Sequence, residues 1–305
     1  MSAASVEAVA RALLYEGYLL YPYRRSAVKN RQRFNWGVLH PGPDHEPWQM
    51  CTECLVRGDG ATVLEATVRF LHLFEHPPDA PEAAGWQEAI EREILTPSTS
   101  IAELRAAPIS LPFSFSPAAV RGRQLRLDGR VLLSAEPVLK DVFRIGVTIE
   151  NHTAVGADAP RRDEILLHSL VAAHTVLHAS RGEFISLTAP PTSLQEAAAA
   201  CGNIGTWPVL AGDPELRDTV LSSPIIVSDY PGVAPESPGD FFDGTEMDEM
   251  LSLRILTLTD EEKLEMREAD ERTRHLLERT EACTAEELMR LHGALRPVRV
   301  LGEGP

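Results

Sequence analysis

The sequence predicts an α+β fold, in which an N-terminal, mostly antiparallel sheet with packed helices is followed by a helical C-terminal region. Strand-like runs separated by turn residues succeed one another between residues 48 and 153, which favours an antiparallel sheet. Near the C-terminus, Thr245, Thr259 and Thr284 each stand three positions before an acidic residue, the pattern of a helix capping box. The strands are therefore expected first and the helices last.

Residues 1–47 are predicted to form a short helix followed by an irregular arm. Val6, Val9 and Leu13 recur at helical spacing, which predicts a helix over 5–15. Residues 18–47 are rich in Tyr, Arg, Asn and Pro and show no sustained period. We call residues 18–47 the Tyr/Arg arm.

Residues 48–160 are predicted to form the sheet-rich body. Gly58-Asp59-Gly60 and Asp128-Gly129 are expected to be hairpin turns. Apolar and polar residues alternate over 143–150, which predicts a strand, whereas "WQEAIEREIL" at 86–95 is expected to be a helix.

Two further regions complete the predicted organisation. Residues 161–244 are expected to be a mixed helical segment that packs on the same core, with a largely buried helix over 163–182, acidic at its start and ended by Gly182. Residues 245–305 are expected to form the helical C-terminal region, with helices near 246–256, 260–280 and 285–295.

The composition excludes several classes of protein. The 305 residues include 45 acidic and 29 basic side chains, and a net charge of −16 argues against binding to nucleic acid or to an anionic membrane. No signal peptide and no apolar run long enough to cross a bilayer are found, and four cysteines are too few for a disulfide framework. We expect a cytoplasmic protein without membrane insertion, and the sequence predicts no cofactor.

The Tyr/Arg arm is the first candidate site. Aromatic side chains interleaved with basic ones could bind single-stranded nucleic acid, but the net charge makes a docking surface for a protein partner the favoured interpretation. Its basic groups could instead pair with acids of the same chain. The predicted partner-binding residues of the arm are Tyr18, Tyr21, Tyr23, Arg24, Arg25, Lys29, Asn30, Arg31 and Arg33.

The segment "APESPGDFFDGTEMDEML" at 234–251 is the second candidate site. Its acids from Glu246 onward are explained by helix capping and by the helix dipole. Glu236, Asp240 and Asp243 are not, and carboxylates on a loop are typical ligands of a hard cation. The neighbouring Phe241 and Phe242 favour a partner surface over a metal site.

Two weaker patterns remain. On the predicted helix, His174 and His178 lie one turn apart, as paired metal ligands do, although a structural role for both imidazoles is favoured. Cys51 and Cys54 form a single CxxC, and the second pair that a metal site needs is missing. A single CxxC is therefore a weak signal, and the sequence does not decide whether it has a redox or metal role. If this segment is a strand, the two thiols face opposite sides of it.

A resemblance rests on three blocks of the sequence: "LLYEGYLLYPYRRSAVKNRQRFNWGVLHP", "GTWPVLAG" and "SPIIVSDYPGVAPESPGDFFDGTEMDEMLSLRILTLTDEEK". Together they resemble an uncharacterised bacterial protein family that is associated with the operons of uptake nickel–iron hydrogenases. The resemblance implies an accessory or assembly role, with a hydrogenase subunit or a maturation factor as the partner.

The residues themselves support no specific chemistry, because no nucleophile elbow, P-loop or dinucleotide-binding glycine motif is present. The sequence therefore favours a non-catalytic accessory protein that binds a protein partner in hydrogenase maturation or assembly. The alternative is a metal-dependent enzyme that uses the acidic loop 236–243.

Overall fold

The computed structural model describes residues 3–19, 21–24, 27, 30, 35–42, 47–76, 86–118, 122–156, 162–232 and 248–291. The chain divides into two compact units, one made of Met1–Glu16 and Phe34–Gly232 and the other of Gly17–Arg33 and Val233–Pro305. Over the described residues the fold is mostly β, with two large antiparallel sheets, so the α+β prediction is wrong. The four region boundaries drawn from the sequence stay predictions.

All the described strands belong to the first unit. In chain order they are β1 (Gln49–Arg57), β2 (Val63–His76), β3 (Trp86–Leu95), β4 (Thr99–Ser100), β5 (Ile109–Phe115), β6 (Arg123–Gln124), β7 (Leu127–Leu139), β8 (Val142–Asn151), β9 (Val171–Ser180), β10 (Glu183–Ile185), β11 (Trp207–Ala211) and β12 (Thr219–Ser223). The first sheet has the order β10-β1-β8-β7-β5, and the second has the order β11-β12-β9-β2-β3, with β4 and β6 also paired to β2.

The helices described in the first unit are short, apart from the first one. They are α1 (Ala3–Tyr15), α2 (Ile101–Ala106), α3 (Arg162–Leu166) and α4 (Gln195–Ala199), the last preceded by a 3-10 turn at Thr192–Leu194. The second unit contains α5 (Asp248–Leu256), α6 (Asp260–Ala269), α7 (Glu271–Ala282) and α8 (Ala285–Leu291). Among the described residues, no helix is both long and apolar enough to cross a membrane.

The apolar core lies between the two sheets. Val68 and Phe70 of β2 belong to the same buried cluster as Ile145 and Val147 of β8. Outside the second sheet, α1 contributes Val6, Val9 and Ala10 to a separate buried cluster with residues of β11 and β12. One face of each sheet therefore lines this core, and α1 covers part of the other face of the second sheet.

The predicted helix over 163–182 is wrong, because its greater part is strand β9. Both faces of β9 are buried over most of its length, since one packs into the core between the sheets and the other faces α1. A strand that is covered on both sides shows a nearly continuous apolar run, which the sequence alone does not distinguish from a buried helix.

The helix predicted over 86–95 is also wrong, since these residues form β3 and pair with β2 along its whole length. Ile90 and Ile94 are four positions apart, a spacing that places them on one face of a helix or of a strand. Pairing with Val68 and His72 of β2 selects the strand.

Neither predicted hairpin turn forms. Gly58-Asp59-Gly60 connects β1 of the first sheet to β2 of the second. Gly129 lies inside β7, opposite Phe113, and a Cβ atom at this position would lie 2.3 Å from the Phe113 ring. The glycine therefore makes room for a core aromatic residue. The strand predicted over 143–150 is confirmed as part of β8.

Three buried hydroxyl groups connect the two sheets. The hydroxyl groups of Thr52 on β1 and Ser222 on β12 are 2.8 Å apart, and Thr206 lies 2.7 Å from the same Ser222 hydroxyl. Each of these side chains is almost completely buried. One hydrogen bond, between Thr52 and Ser222, thus crosses a core that is otherwise mainly apolar, and Thr206 adds a second bond on the side of β12.

In the second unit, the capping box predicted at Thr259 is confirmed, because its hydroxyl accepts from the Glu262 N–H and the Glu262 carboxylate accepts from the Thr259 N–H. The reciprocal bonds predicted for Thr284 and Glu287 are present as well. The single helix expected over 260–280 is two helices, because Asp270 has an extended backbone and caps the start of α7.

Candidate functional site

One candidate site is a pocket beside the short strand β6, where Gln124 pairs with Phe74 near the end of β2. The pocket has a volume of about 740 Å³, within the range of small-molecule sites. We call it the Gln124 pocket, and its walls are formed by Glu75, Pro117, Ala118, Gly122, Arg123, Gln124 and Leu125.

Arg92 of β3 lies behind this pocket. Its guanidinium stands 4.6 Å from the centre of the Phe115 ring, and its Nη2 donates to Gln124 Oε1 at 3.3 Å. Within the described part of the chain, no carboxylate forms an ion pair with Arg92, and burial lowers the pKa of its guanidinium. An arginine remains charged at neutral pH even so, and no carboxylate of the described residues pairs with the charge of Arg92.

Two buried donors at this place lack partners. Gln124 is only 6% exposed, and its Nε2 makes no hydrogen bond, nor does Nε of Arg92. The orientation of the amide is fixed by Arg92, because a reversed amide would place two donors against each other. Both donor atoms have almost no accessible surface, so neither is exposed to the pocket, and each is a buried donor without a hydrogen bond.

His72 of β2 lies next to this group and is completely buried. Its Nε2 is 3.0 Å from the Leu125 carbonyl oxygen, which can only accept, so Nε2 carries the proton and Nδ1 is an unpartnered acceptor. Burial, followed by the charge of Arg92, lowers the pKa of His72 to about 4. The imidazole is therefore neutral at pH 7 and adds no charge.

A second candidate site is an exposed apolar surface, which we define by Trp36, Trp207 and Ile226. These side chains are 41%, 44% and 72% exposed. Trp207 pairs with Ser223 at the end of β12, and a Cβ atom at Gly37 would lie 2.6 Å from Pro224 Cγ. All three side chains thus come from segments that meet at the end of β12.

The segments around the apolar surface contain no charged residue, although charged residues make up 24% of the chain. This holds for residues 35–39, 202–212 and 219–228. Interface cores are depleted in charge and enriched in tryptophan, so this composition is typical of a surface that binds another protein.

The outer edge of β11, beside this surface, is closed to strand pairing. Pro208 has no N–H to donate, and the Leu210 N–H donates to Asp229 Oδ1 at 2.9 Å. The Leu210 carbonyl accepts from the Tyr230 N–H at 2.6 Å. A partner would therefore contact side chains and not extend the sheet.

The two histidines predicted to lie one turn apart on a helix are both on strand β9, so the helical premise is wrong. His174 is completely buried and His178 is exposed. His174 Nδ1 donates to the Ala172 carbonyl at 3.0 Å, which leaves Nε2 as a buried acceptor without a partner. Among the described residues, no group of three or more His, Cys, Asp or Glu side chains could hold a metal ion.

The CxxC cysteines face opposite sides of β1, as expected for a strand. Cys54 lies in the core between the sheets, and Cys51 Sγ lies 3.7 Å from the Thr148 hydroxyl on the other face. Burial, and then the neighbouring Cys201 and Glu53, raise the pKa of the Cys54 thiol. The two thiols cannot share an ion from opposite faces of a sheet, and Cys54 is a poor nucleophile.

The described residues of the Tyr/Arg arm between 18 and 30 belong to the second unit. Tyr18, Tyr23 and Asn30 are buried, and their role as partner-binding residues stays a prediction. Arg24 forms an ion pair with Glu262 at 3.2 Å, and Arg254 stacks on the Tyr21 ring at 5.3 Å. The alternative interpretation, in which the arm pairs with acids of the same chain, is the one found for Arg24.

The remaining predicted site residues lie outside the described residues, so their roles stay predictions: Arg25, Lys29, Arg31, Arg33, Glu236, Asp240, Phe241, Phe242 and Asp243. Sequence reasoning in turn missed Arg92, because its segment was assigned to a helix, and missed Gln124, which has no motif. For the apolar surface the sequence does offer a signal, because Trp36 and Trp207 are tryptophans in segments without charged residues.

Comparison with known proteins adds no relative from which a role could be transferred. The chain matches no protein-family model, and it has no significant match among curated proteins.

Proposed function

We propose that this chain is a non-catalytic accessory or assembly protein, which binds a protein partner through the apolar surface of Trp36, Trp207 and Ile226. The observation that carries the proposal is the exposure of these three side chains among segments that contain no charged residue. Removing them from water on binding supplies a favourable free energy without the cost of burying a charge.

The proposed mode of binding follows from the shape of the site. Two tryptophans are large, rigid anchors, which lose little conformational entropy when a partner covers them. Because the edge of β11 is closed by Pro208 and by Asp229, the partner is expected to offer an apolar groove and not a strand.

The class of partner is taken from the family resemblance of the sequence. The resemblance implies a context of uptake nickel–iron hydrogenases, so we propose a hydrogenase subunit or a maturation factor as the partner. The role would be to hold a subunit during assembly, with no reaction catalysed by this chain.

The test is co-purification from a cell that expresses the hydrogenase operon. Tagged wild-type chain is expected to retain one hydrogenase subunit or maturation factor in stoichiometric amount. The double variant Trp36→Ser with Trp207→Ser is expected to lose at least about nine tenths of it, because interface tryptophans carry much of a binding energy.

The control is Leu216→Ser, which removes an equally exposed apolar side chain elsewhere on the first unit. It is expected to retain the partner at the wild-type level. Recovery of the wild-type chain alone and monomeric would contradict the proposal. It would also be contradicted if the double variant, folded as the wild type by circular dichroism, retained as much of the partner as the wild type does.

A further inference from the structure

We propose that a second pocket, with Arg57, Arg181, Glu183 and Asp218 on its wall, binds a small zwitterion of the amino-acid class. The carboxylate of the ligand pairs with the arginines, and its ammonium group pairs with the acids. We call this site the Arg181 pocket. It is separate from the apolar surface above, and the inference does not depend on the proposed function.

The Arg181 pocket lies where several segments of the first unit end or turn. Arg57 ends β1 and Glu183 begins β10, while Arg181 lies in the turn from β9 to β10. Leu216 and Asp218 lie just before β12. The pocket has a volume of about 570 Å³, within the range of small-molecule sites. Asp218 is partly exposed and the other four residues are exposed, so a ligand in the pocket can reach their side chains.

The first argument is that charges of both signs line the pocket without neutralising each other. Within the described part of the chain, Arg181, Glu183 and Asp218 form no ion pair. Arg57 has a single carboxylate contact, 3.5 Å from its Nε to Asp141, which does not belong to the wall. An anion alone would meet two acids, and a cation alone would meet two arginines. A ligand that carries both charges can pair with both kinds of side chain.

The second argument comes from the register of the strands. Arg57 and Glu183 are direct partners in the pairing of β1 with β10. Side chains of directly opposite residues point to the same face of a sheet and start about 5 Å apart. Among the described contacts no ion pair joins these two, since Arg57 contacts Asp141 instead. A zwitterion between them offers an ammonium group to Glu183 and a carboxylate to Arg57.

The third argument concerns the backbone of Arg181, which is in the left-handed region with a φ of 63°. Glycine or asparagine adopts this conformation at a lower cost than arginine does. The Thr62 hydroxyl donates to the Arg181 carbonyl at 2.9 Å, a bond that any residue at this position would make. The guanidinium itself has no hydrogen bond or ion pair with the described residues, so these contacts do not explain an arginine here. Strained residues of this kind gather at ligand sites.

The fourth argument limits the class of ligand. His178 also lines the pocket, but among the described residues no group of three His, Cys, Asp or Glu side chains could hold a metal ion. A phosphate would bring two negative charges beside Glu183 and Asp218. Leu216, which is 58% exposed, gives the wall an apolar part. Leucine and the dipeptide leucyl-leucine carry both charges and apolar side chains, so they are suitable probes.

The first experiment is isothermal titration calorimetry of the full chain with leucine and with leucyl-leucine. At least one of them is expected to bind. Its N-acetyl form, which lacks the ammonium group, and its C-terminal amide, which lacks the carboxylate, are each expected to bind at least about tenfold more weakly. The proposal is overturned if neither probe binds, or if either blocked form binds as tightly as its parent.

The second experiment uses the strain at Arg181. Arg181→Asn is expected to unfold at a higher temperature and to bind the probe at least about tenfold more weakly, whereas an arginine without a ligand would not lose affinity while the chain gained stability. The matched control is Arg217→Asn, since Arg217 also has a positive φ, of 50°, but does not belong to the wall. It is expected to bind as the wild type does. Unchanged affinity in Arg181→Asn, or an equal loss in both variants, would overturn the proposal.

The third experiment removes the acids of the wall. The double variant Glu183→Gln with Asp218→Asn is expected to bind the probe at least about tenfold more weakly, and to bind its N-acetyl form at least as tightly as the wild type does. Glu215→Gln changes an acid of the same turn that does not belong to the wall, and it is expected to keep the wild-type preference. If the double variant still prefers the free ammonium form by the wild-type factor, the acids do not hold the ligand and the proposal is wrong.

Discussion

At the scale of single residues, His174 is a buried imidazole that the fold keeps neutral. Burial lowers its pKa to about 4, while the hydrogen bond to the Ala172 carbonyl opposes the shift. The charged groups that act on it are Arg69 of β2, Glu7 of α1 and Glu91 of β3, and the first lowers the pKa while the two acids raise it. Protonation of His174 therefore works against folding.

The consequence is a loss of stability in acid. In the unfolded chain, an imidazole binds its proton near pH 6.5, whereas in the fold it does so only near pH 4, so the unfolded state binds more protons between these values. Stability is thus fully present above about pH 6.5 and falls as the pH is lowered towards about 4. His72 acts in the same direction.

We predict that His174→Gln, which keeps an amide donor for Ala172, reduces this acid sensitivity. Between about pH 7 and about pH 5, the wild type is expected to lose about 2 kcal/mol more of its free energy of unfolding than the variant does. Urea unfolding at both pH values measures the difference. His178→Gln changes an exposed imidazole on the same strand and serves as the control; equal losses in wild type and His174→Gln would refute the prediction.

At the scale of elements, Asp270 separates two helices that the sequence predicts as one. Its Oδ1 accepts from the Thr273 N–H at 2.7 Å and from the Thr273 hydroxyl at 2.8 Å, which caps α7. The hydroxyl of Thr280 donates to the Leu276 carbonyl in the last turn of the same helix. The break was not predicted because an aspartate between two helical patterns is also tolerated as a polar residue of one long helix.

We predict that Asp270→Ala destabilises the helical unit by about 1 to 2 kcal/mol, because two donors at the start of α7 lose their acceptor. Chemical denaturation followed by helical circular dichroism gives this value. Asp260→Ala, in the exposed first turn of α6, removes the same carboxylate from a position without a capping bond and should cost a few tenths of this amount. A comparable cost for both variants would show that only the charge matters.

The elements also show where the sequence is informative. The capping boxes at Thr259 and Thr284 depend on residues three positions apart, so a sequence displays them directly. The strand β8 was equally clear, since its alternation fits no helix. In contrast, Ile90 with Ile94 and His174 with His178 repeat every four positions, a spacing that helix and strand share, and both segments were assigned wrongly.

At the scale of the whole molecule, the two sheets bring together residues that no local pattern connects. Arg92, Phe115 and Gln124 come from β3, β5 and β6, and His72 joins them from β2. Their neighbourhood depends on strand register and on the packing of two sheets, which a single sequence does not display. This is why the Gln124 pocket was not predicted from the sequence.

Association of whole molecules is expected to depend on the closed edge of β11. Asp229 accepts from the Leu210 N–H with one carboxylate oxygen, and with the other from the hydroxyls of Ser186 and Thr188. We predict that Asp229→Ala exposes this N–H and produces self-association that grows with protein concentration, because an open edge strand is a template for pairing. Sedimentation velocity measures the change.

Glu215→Ala removes an equal charge from an exposed turn and controls for lowered repulsion between acidic molecules. It is expected to sediment as the wild type does. If Asp229→Ala also sediments as the wild type does over the same range of concentration, the carboxylate is not what protects the edge.

The hydroxyl chain of Thr52, Ser222 and Thr206 has a consequence for how the two sheets are aligned. Apolar side chains change little in energy when one sheet slides by a fraction of a residue over the other, since contacts that are lost are replaced by similar ones. The hydrogen bond of 2.8 Å between Thr52 and Ser222 depends on distance and angle, so such a slip would break it. The hydrogen bond between these small polar groups therefore fixes the alignment of the two sheets. The apolar residues around it can vary in composition while this alignment stays the same.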